Sequence, residues 1–203
     1  MTKVKEFSGI ICVDDASDKD KSEAIKNRYP DIRLIRLGKN VGKSGAILEG
    51  LKHTDSNFIL LLDADLRNLN HIEISNAVKV IKANPDIDML VLRRIKAPIF
   101  VKIFRGDVLS TGERIIKKQY LQELLEKSSI GWQLESKINL YIYKNKRKVY
   151  WFPHTGVNTH WKWGLNTDLM YHKKKMLDIY SIGIVNLIWL YLFFGKKEYK
   201  TTL

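Results

Sequence analysis

Two acids one residue apart, Asp63 and Asp65, close the apolar run Phe58-Ile59-Leu60-Leu61-Leu62. Set between the turn Thr54-Asp55-Ser56-Asn57 and two carboxylates, that run reads as a buried strand of a parallel sheet. Open α/β sheets bind ligands at the C-terminal ends of their strands. Side chains at i and i+2 of an extended segment share a face, so both carboxylates can converge on one hard divalent cation. The ordinary alternative is a strand end closed by solvated turn acids. What surrounds the pair decides between them.

Upstream, Gly9-Ile10-Ile11-Cys12-Val13 is another short apolar strand, and it ends in Asp14-Asp15-Ala16-Ser17. A polar helical stretch follows from Lys19 to Tyr29 and stops at Pro30. A third strand, Ile32 to Leu37, opens into Gly38-Lys39-Asn40-Val41-Gly42-Lys43-Ser44-Gly45-Ala46, and a helix is expected from Ala46 to about Lys52. Strand, helix, strand, helix, strand at short spacing argues a parallel sheet with right-handed crossovers.

Val13-Asp14-Asp15-Ala16-Ser17, then Asn40 to Ala46 with Gly50-Leu51, then Leu62-Asp63-Ala64-Asp65 resembles the family 2 glycosyltransferases of the GT-A fold. The likeness continues through Thr111-Gly112-Glu113-Arg114, Gly131-Trp132-Gln133-Leu134-Glu135 and a late histidine, His154 or His160. It implies an α/β, GT-A-like sheet flanked by helices, a nucleotide-diphospho-sugar donor, and Mg²⁺ or Mn²⁺ at the D-x-D. It further implies Asp65 as direct metal ligand, Asp63 near the ribose or behind the metal, Asp15 toward the base, and Glu135 as the base for an acceptor hydroxyl. His160 can supply a third metal ligand, and His154 competes for that role. Lys43, at a helix start where backbone N–H groups and a cation favour anions, is placed for the phosphates. Each has an ordinary alternative: Asp15 a turn cap, Lys43 a surface lysine, Glu135 a first-turn acid favoured by the helix dipole.

Gly42-Lys43-Ser44 also imitates a P-loop, which would make the chain a nucleotide hydrolase. That pattern requires glycine five residues before Gly42, where Leu37 stands. Relatives in the resembled family begin with an additional strand and helix bearing a Val-Ile-Pro-x-Tyr-Asn-Glu type motif. The present sequence starts directly before what would be the second strand, about 30 residues short of that pattern, comparable to one βαβ half-unit. A membrane-bound remnant without donor binding is the corresponding non-enzyme reading.

The charge is concentrated late. Of a net +13, the segment from Lys137 onward carries twelve Lys and Arg against Asp168, Asp178 and Glu198. Trp151, Trp161 and Trp163 would suit nucleic-acid stacking, but the basic residues instead flank an apolar segment, Ile179 to Phe194, with Lys173-Lys174-Lys175 before it and Lys196, Lys197 and Lys200 after. Lysines beside an apolar, aromatic-rich helix suit an anionic membrane surface and not nucleic acid. Leu177 to Phe194 as one helix gives about 27 Å, at the short edge of a bilayer span. The expectation is therefore a glycosyltransferase domain over 1–165 and a membrane-associated segment over 166–203, sited at the cytoplasmic face and acting on a lipid, polysaccharide or other cell-envelope acceptor. The single cysteine, Cys12, lies in an apolar strand and packs as a small hydrophobe.

Overall fold

A computed structural model describes residues 4–64, 66–127, 134–158 and 182–200. Its centre is a four-stranded sheet of order β3-β6-β5-β7, formed by β3 (Phe58–Leu61), β6 (Arg114–Lys117), β5 (Met89–Arg94) and β7 (Val149–His154). β6 runs antiparallel to both β3 and β5, while β5 and β7 are parallel. β3, β5 and β7 therefore point the same way, and the start of β6 meets their C-terminal ends. β1 (Ile11–Asp14) and β2 (Arg33–Arg36) form a separate parallel pair, and β4 (Leu66–Arg67) pairs antiparallel with β8 (Val157–Asn158). The parallel pairing read from local spacing holds for β1 and β2, and the central sheet is mixed because β6 enters next to β3 from far along the chain.

Period-two alternation of β5 divides the core into two layers. Met89 and Val91 face one side, with Val108, Leu121, Leu125, Ile138 and Ile142. Leu90 and Leu92 face the other, with Val4, Ile74, Ala77, Val80 and Ile81. The second layer is covered by α3 (His71–Ala83), started by Asn70, whose side chain accepts from the Ile72 amide at 2.9 Å. The first is covered by α5 (Gly106–Leu109), α6 (Lys118–Lys127) and α7 (Leu134–Lys144).

Two helices differ from expectation. α1 (Lys19–Arg28) sits as read, with Ser22 buried against Asp14, but α2 spans Gly42–Leu51 and begins four residues before Ala46. The Asp15 carboxylate explains this: it accepts from the Val41 amide at 2.7 Å and the Gly42 amide at 2.8 Å, satisfying orphan donors of the first turn. The same two bonds occupy the amides a P-loop would offer to phosphate, so the P-loop reading fails.

At the C-terminus, α8 covers Ile184–Phe193, ten residues and about 15 Å. Among the described residues no helix is long and apolar enough to cross a membrane. Nor is the segment apolar and unattached on every side, because Leu190 and Phe194 are buried in the core with α5 to α7. After α8 the chain lies along β7, with the Trp151 amide on the Lys197 carbonyl and the Tyr199 amide on the Trp151 carbonyl, each at 2.9 Å. Arg105, between α4 (Ile99–Ile103) and α5, fastens the helix end: its guanidinium donates to the carbonyls of Leu190 at 3.3 Å, Tyr191 at 2.6 Å, Phe194 at 2.7 Å and Gly195 at 3.2 Å. The Tyr191 carbonyl belongs to the last turn, whose acceptors lack intrahelical partners, and the Phe194 and Gly195 carbonyls lie just past it. Replacing Arg105 with Met should cost about 2–3 kcal/mol and lower the melting temperature by roughly 5–10 °C, with earlier proteolysis of the C-terminal segment. Thermal unfolding and limited proteolysis check this.

Candidate active site

The C-terminal ends of β3, β5 and β7 collect the charged residues. Asp63 follows β3, Gly112 and Glu113 precede β6, Lys43 is the second residue of α2, and Glu135 lies in the first turn of α7. The Lys43 ammonium donates to Asp63 Oδ1 at 2.6 Å and to Glu135 Oε1 at 2.8 Å. Three of the six residues expected at the site therefore meet around one proton-rich nitrogen. Burial disfavours the Lys43 charge, but the carboxylates of Glu135 and Asp63 outweigh it and hold the ammonium above the ordinary lysine range.

The turn before β6 supplies what sequence spacing left unassigned. A Cβ on Gly112 would stand 2.4 Å from Asp63 Oδ2 and 2.6 Å from Oδ1, so only glycine lets this carboxylate lie against the turn. Glu113 and Arg114 are fully buried. Arg114 donates to Asn139 Oδ1 at 2.8 Å and to the Thr111 carbonyl, and Asn139 in turn donates to the Leu109 carbonyl at 2.8 Å. Burial pulls the guanidinium down, while the charges of Glu135, Glu113 and Asp63 hold it up. Burial raises the Glu113 carboxyl above the ordinary range, opposed by a hydrogen bond from the Thr111 hydroxyl and reinforced by the Asp63 charge. One Glu113 oxygen, Oε1, has no partner among the described residues.

Asp15 lies one turn away, with both carboxylate oxygens on the start of α2, so it fixes the loop that carries Lys43. Asp14 is the buried acid of that pair, and Ser22 and Ser17 hold its carboxyl below the usual range. Asp65 and His160 lie outside the described residues. His154, the competing histidine, is buried at the end of β7, where Nδ1 accepts from the Gly156 amide at 3.2 Å and Nε2 has no partner among the described residues. Burial and the neighbouring Arg94 push its pKa down to about 4.

The oxygen donors suit a hard divalent ion. Asp63 already holds a cation, the Lys43 ammonium, and the Asp63 charge acts on Glu113, whose Oε1 has no partner among the described residues. Three carboxylates, Asp63, Glu113 and Glu135, share this end of the sheet with Lys43 and Arg114, and the Arg94 charge also acts on Glu113. Among the described residues alone no group of three metal-ligating side chains forms; Asp65 would have to complete one.

A family model described as glycosyl transferase family 2 matches residues 5–171. The chain is 39% identical over 59 residues to a dolichyl-phosphate β-glucosyltransferase of Trichomonas vaginalis, a match covering 28% of this chain and 18% of that protein. It is 29% identical over 80 residues to a dolichol-phosphate mannosyltransferase of Pyrococcus furiosus, covering 38% and 22%. The matches thus span about a fifth of these relatives. Among solved structures, a Pyrobaculum calidifontis mannosyltransferase in complex with GDP-Man and Mn²⁺ superposes with a TM-score of 0.66 at 21% identity, covering 87% of this chain and 55% of that one. Mycobacterium tuberculosis glucosyl-3-phosphoglycerate synthase with Mn²⁺, UDP and phosphoglyceric acid gives 0.62 at 14% identity, covering 86% and 67%. At these identities the structural likeness is one of fold, a GT-A-like mixed sheet flanked by helices.

Gly112→Ala should drive the Asp63 carboxylate off Lys43. We expect about 1–3 kcal/mol of lost stability and weakened ligand binding, read by denaturant unfolding and calorimetry. His154 gives a second test. Its folded pKa is depressed, so its stabilising contribution is present above the unfolded value of about 6.5 and is lost as pH falls toward 4. Between pH 7.5 and 5 the wild type should lose about 2 kcal/mol through this group, and His154→Gln should lose correspondingly less in urea titrations at the two pH values.

Proposed function

Because the chain belongs to glycosyl transferase family 2, we propose that it moves a hexose from a nucleotide-diphospho-sugar to a lipid or glycan acceptor of the cell envelope. The observation that carries this reading is the Lys43 ammonium shared by Asp63 and Glu135 at the C-terminal end of the sheet. Two curated relatives are named for dolichyl-phosphate sugar transfer, and two structural neighbours hold Mn²⁺ with a nucleotide or nucleotide-sugar; these favour a metal-assisted donor and a lipid-phosphate type of acceptor. Asp65 would hold Mg²⁺ or Mn²⁺, with His160 as a further ligand and Asp63 near the ribose or behind the metal. When bound, that ion supplies neutralising charge for the diphosphate leaving group.

The chain's own residues divide the rest of the work. In the free protein Lys43 neutralises Asp63 and Glu135. When the donor diphosphate binds, the ammonium turns to its oxygens, where charge grows as the sugar–oxygen bond breaks. That movement releases Glu135. With a hydroxyl acceptor, Glu135 takes the proton as the acceptor oxygen bonds to the anomeric carbon, and the electron pair of the broken bond leaves on the diphosphate. A phosphate acceptor is already ionised, and Glu135 then serves to hold Lys43. Asp15 acts on the base side by fixing the Asn40–Gly42 loop.

Calorimetry with UDP and GDP in Mn²⁺ tests this. Asp65→Ala and Asp63→Asn should each weaken metal-dependent binding by at least about tenfold, roughly 1.4 kcal/mol, and Lys43→Met by about as much. Glu135→Gln should keep donor binding and, with a hydroxyl acceptor only, lose turnover. Metal-dependent binding unchanged by Asp65→Ala overturns the assignment.

A further inference from the structure

The described surface leaves an apolar strip uncovered on α8. Ile184, Val185, Ile188, Trp189 and Leu192 recur at helical spacing on the side away from the buried Leu190, and all are exposed. A second exposed group lies on and just after α4, where Ile99 is 74%, Ile103 58% and Phe104 73% exposed. The two elements are joined at one corner. The Tyr191 hydroxyl donates to the Ile103 carbonyl at 2.9 Å, and Arg105 holds the end of α8 through four carbonyls. The α8 strip and the α4 group therefore meet in a single exposed region that combines distant parts of the sequence.

The charges around it identify what it fits. Residues 95–105 and 182–200 contain Lys96, Lys102, Lys196, Lys197, Lys200 and the carbonyl-bound Arg105, against Glu198 as their one acid. A second copy of the chain would bring the same lysines against these and the same excess of positive charge. An anionic lipid surface supplies hydrocarbon for the aromatic and aliphatic side chains and counter-charge for the lysines together. At about 15 Å, α8 reaches half the thickness of a bilayer core, so it suits lying in the interface and not crossing it.

We propose that α4 and α8 form one composite docking surface for an anionic bilayer, with Ile99, Ile103 and Phe104 inserting beside Ile188, Trp189 and Leu192. This inference stands independently of the donor chemistry. It requires that substitutions on α4 matter as much as those on α8, which a lone C-terminal anchor does not.

The test is co-sedimentation of the full chain with vesicles of phosphatidylcholine, alone or with about one-third phosphatidylglycerol. The wild type should bind the anionic vesicles and release in high salt, as an interfacial element does. Ile99→Glu with Phe104→Glu, and separately Ile188→Glu with Leu192→Glu, should each weaken binding at least roughly tenfold. Lys196→Ala with Lys197→Ala should weaken it about fivefold per lysine. Nucleotide binding in Mn²⁺ should be unchanged in the α4 pair, so docking and donor binding fail separately. Circular dichroism melting confirms the fold, and Ile99→Ser with Phe104→Ser replaces the glutamate pair if that pair unfolds. Wild-type vesicle binding by the α4 pair overturns the composite surface. Equal binding to neutral and anionic vesicles overturns the lysine contribution. A concentration-dependent dimer broken by the same substitutions, without vesicle binding, makes the occupant a second copy and overturns the proposal.

Discussion

Arg114 places a guanidinium where no water reaches it, at the start of the strand that separates β3 from β5. A lone charge in such a position costs several kcal/mol, and its neighbours are what make it tolerable. Asn139 and the Thr111 carbonyl take its hydrogens from α7 and from the turn before β6, while the charges of Glu135, Glu113 and Asp63 act on it from the site above. The dependence is mutual. Three carboxylates crowded at one end of a sheet would repel one another, and the buried guanidinium together with Lys43 allows them to stay close. One interaction thus ties sheet order, the seating of α7 and the charge of the site together.

The same logic explains why Gly112 precedes that arginine. The turn must pass under Asp63 so closely that a methyl group would overlap the carboxylate. An acid pressed against backbone on one side and an ammonium on the other has few alternative positions. Pre-organisation of this kind is what a site that stabilises developing charge requires.

Sequence reading reached the D-x-D strand and the glycine-rich turn, because each is carried by a local pattern in a recognisable order; it named Lys43, Asp63 and Glu135 for separate roles, and their meeting at one ammonium is seen only in the fold. It could not reach the relations set by distant residues. α2 begins at Gly42 because a carboxylate from 26 residues upstream caps it, and nothing near Gly42 announces that. The reversed β6 beside β3 is written in neither strand, since one is a short apolar run and the other two isoleucines between basic residues, and the whole core chooses the pairing. The C-terminal helix reads as apolar all round. Leu190 and Phe194 are buried in the core, and Arg105, some 90 residues earlier, holds the last turn that carries them. Gly112 and Arg114 were visible as a motif, but their roles became clear only with Asp63 and Asn139 in place.

The segment between β5 and β6 connects the two functional ideas physically. Its beginning carries the exposed side chains of α4, its middle carries Arg105 on the end of α8, and its end supplies Gly112 beneath Asp63. α5 is held against the sheet within it, since Arg93 Nε donates to the Asp107 carboxylate at 2.5 Å and the Arg93 guanidinium lies 4.6 Å from the Trp151 ring centre. Packed contacts thus run without a break from α4 and the end of α8 to the turn that positions the carboxylate. On the proposed reading, the surface offered to a bilayer and the turn beneath Asp63 belong to one stretch of chain, so one segment would orient both.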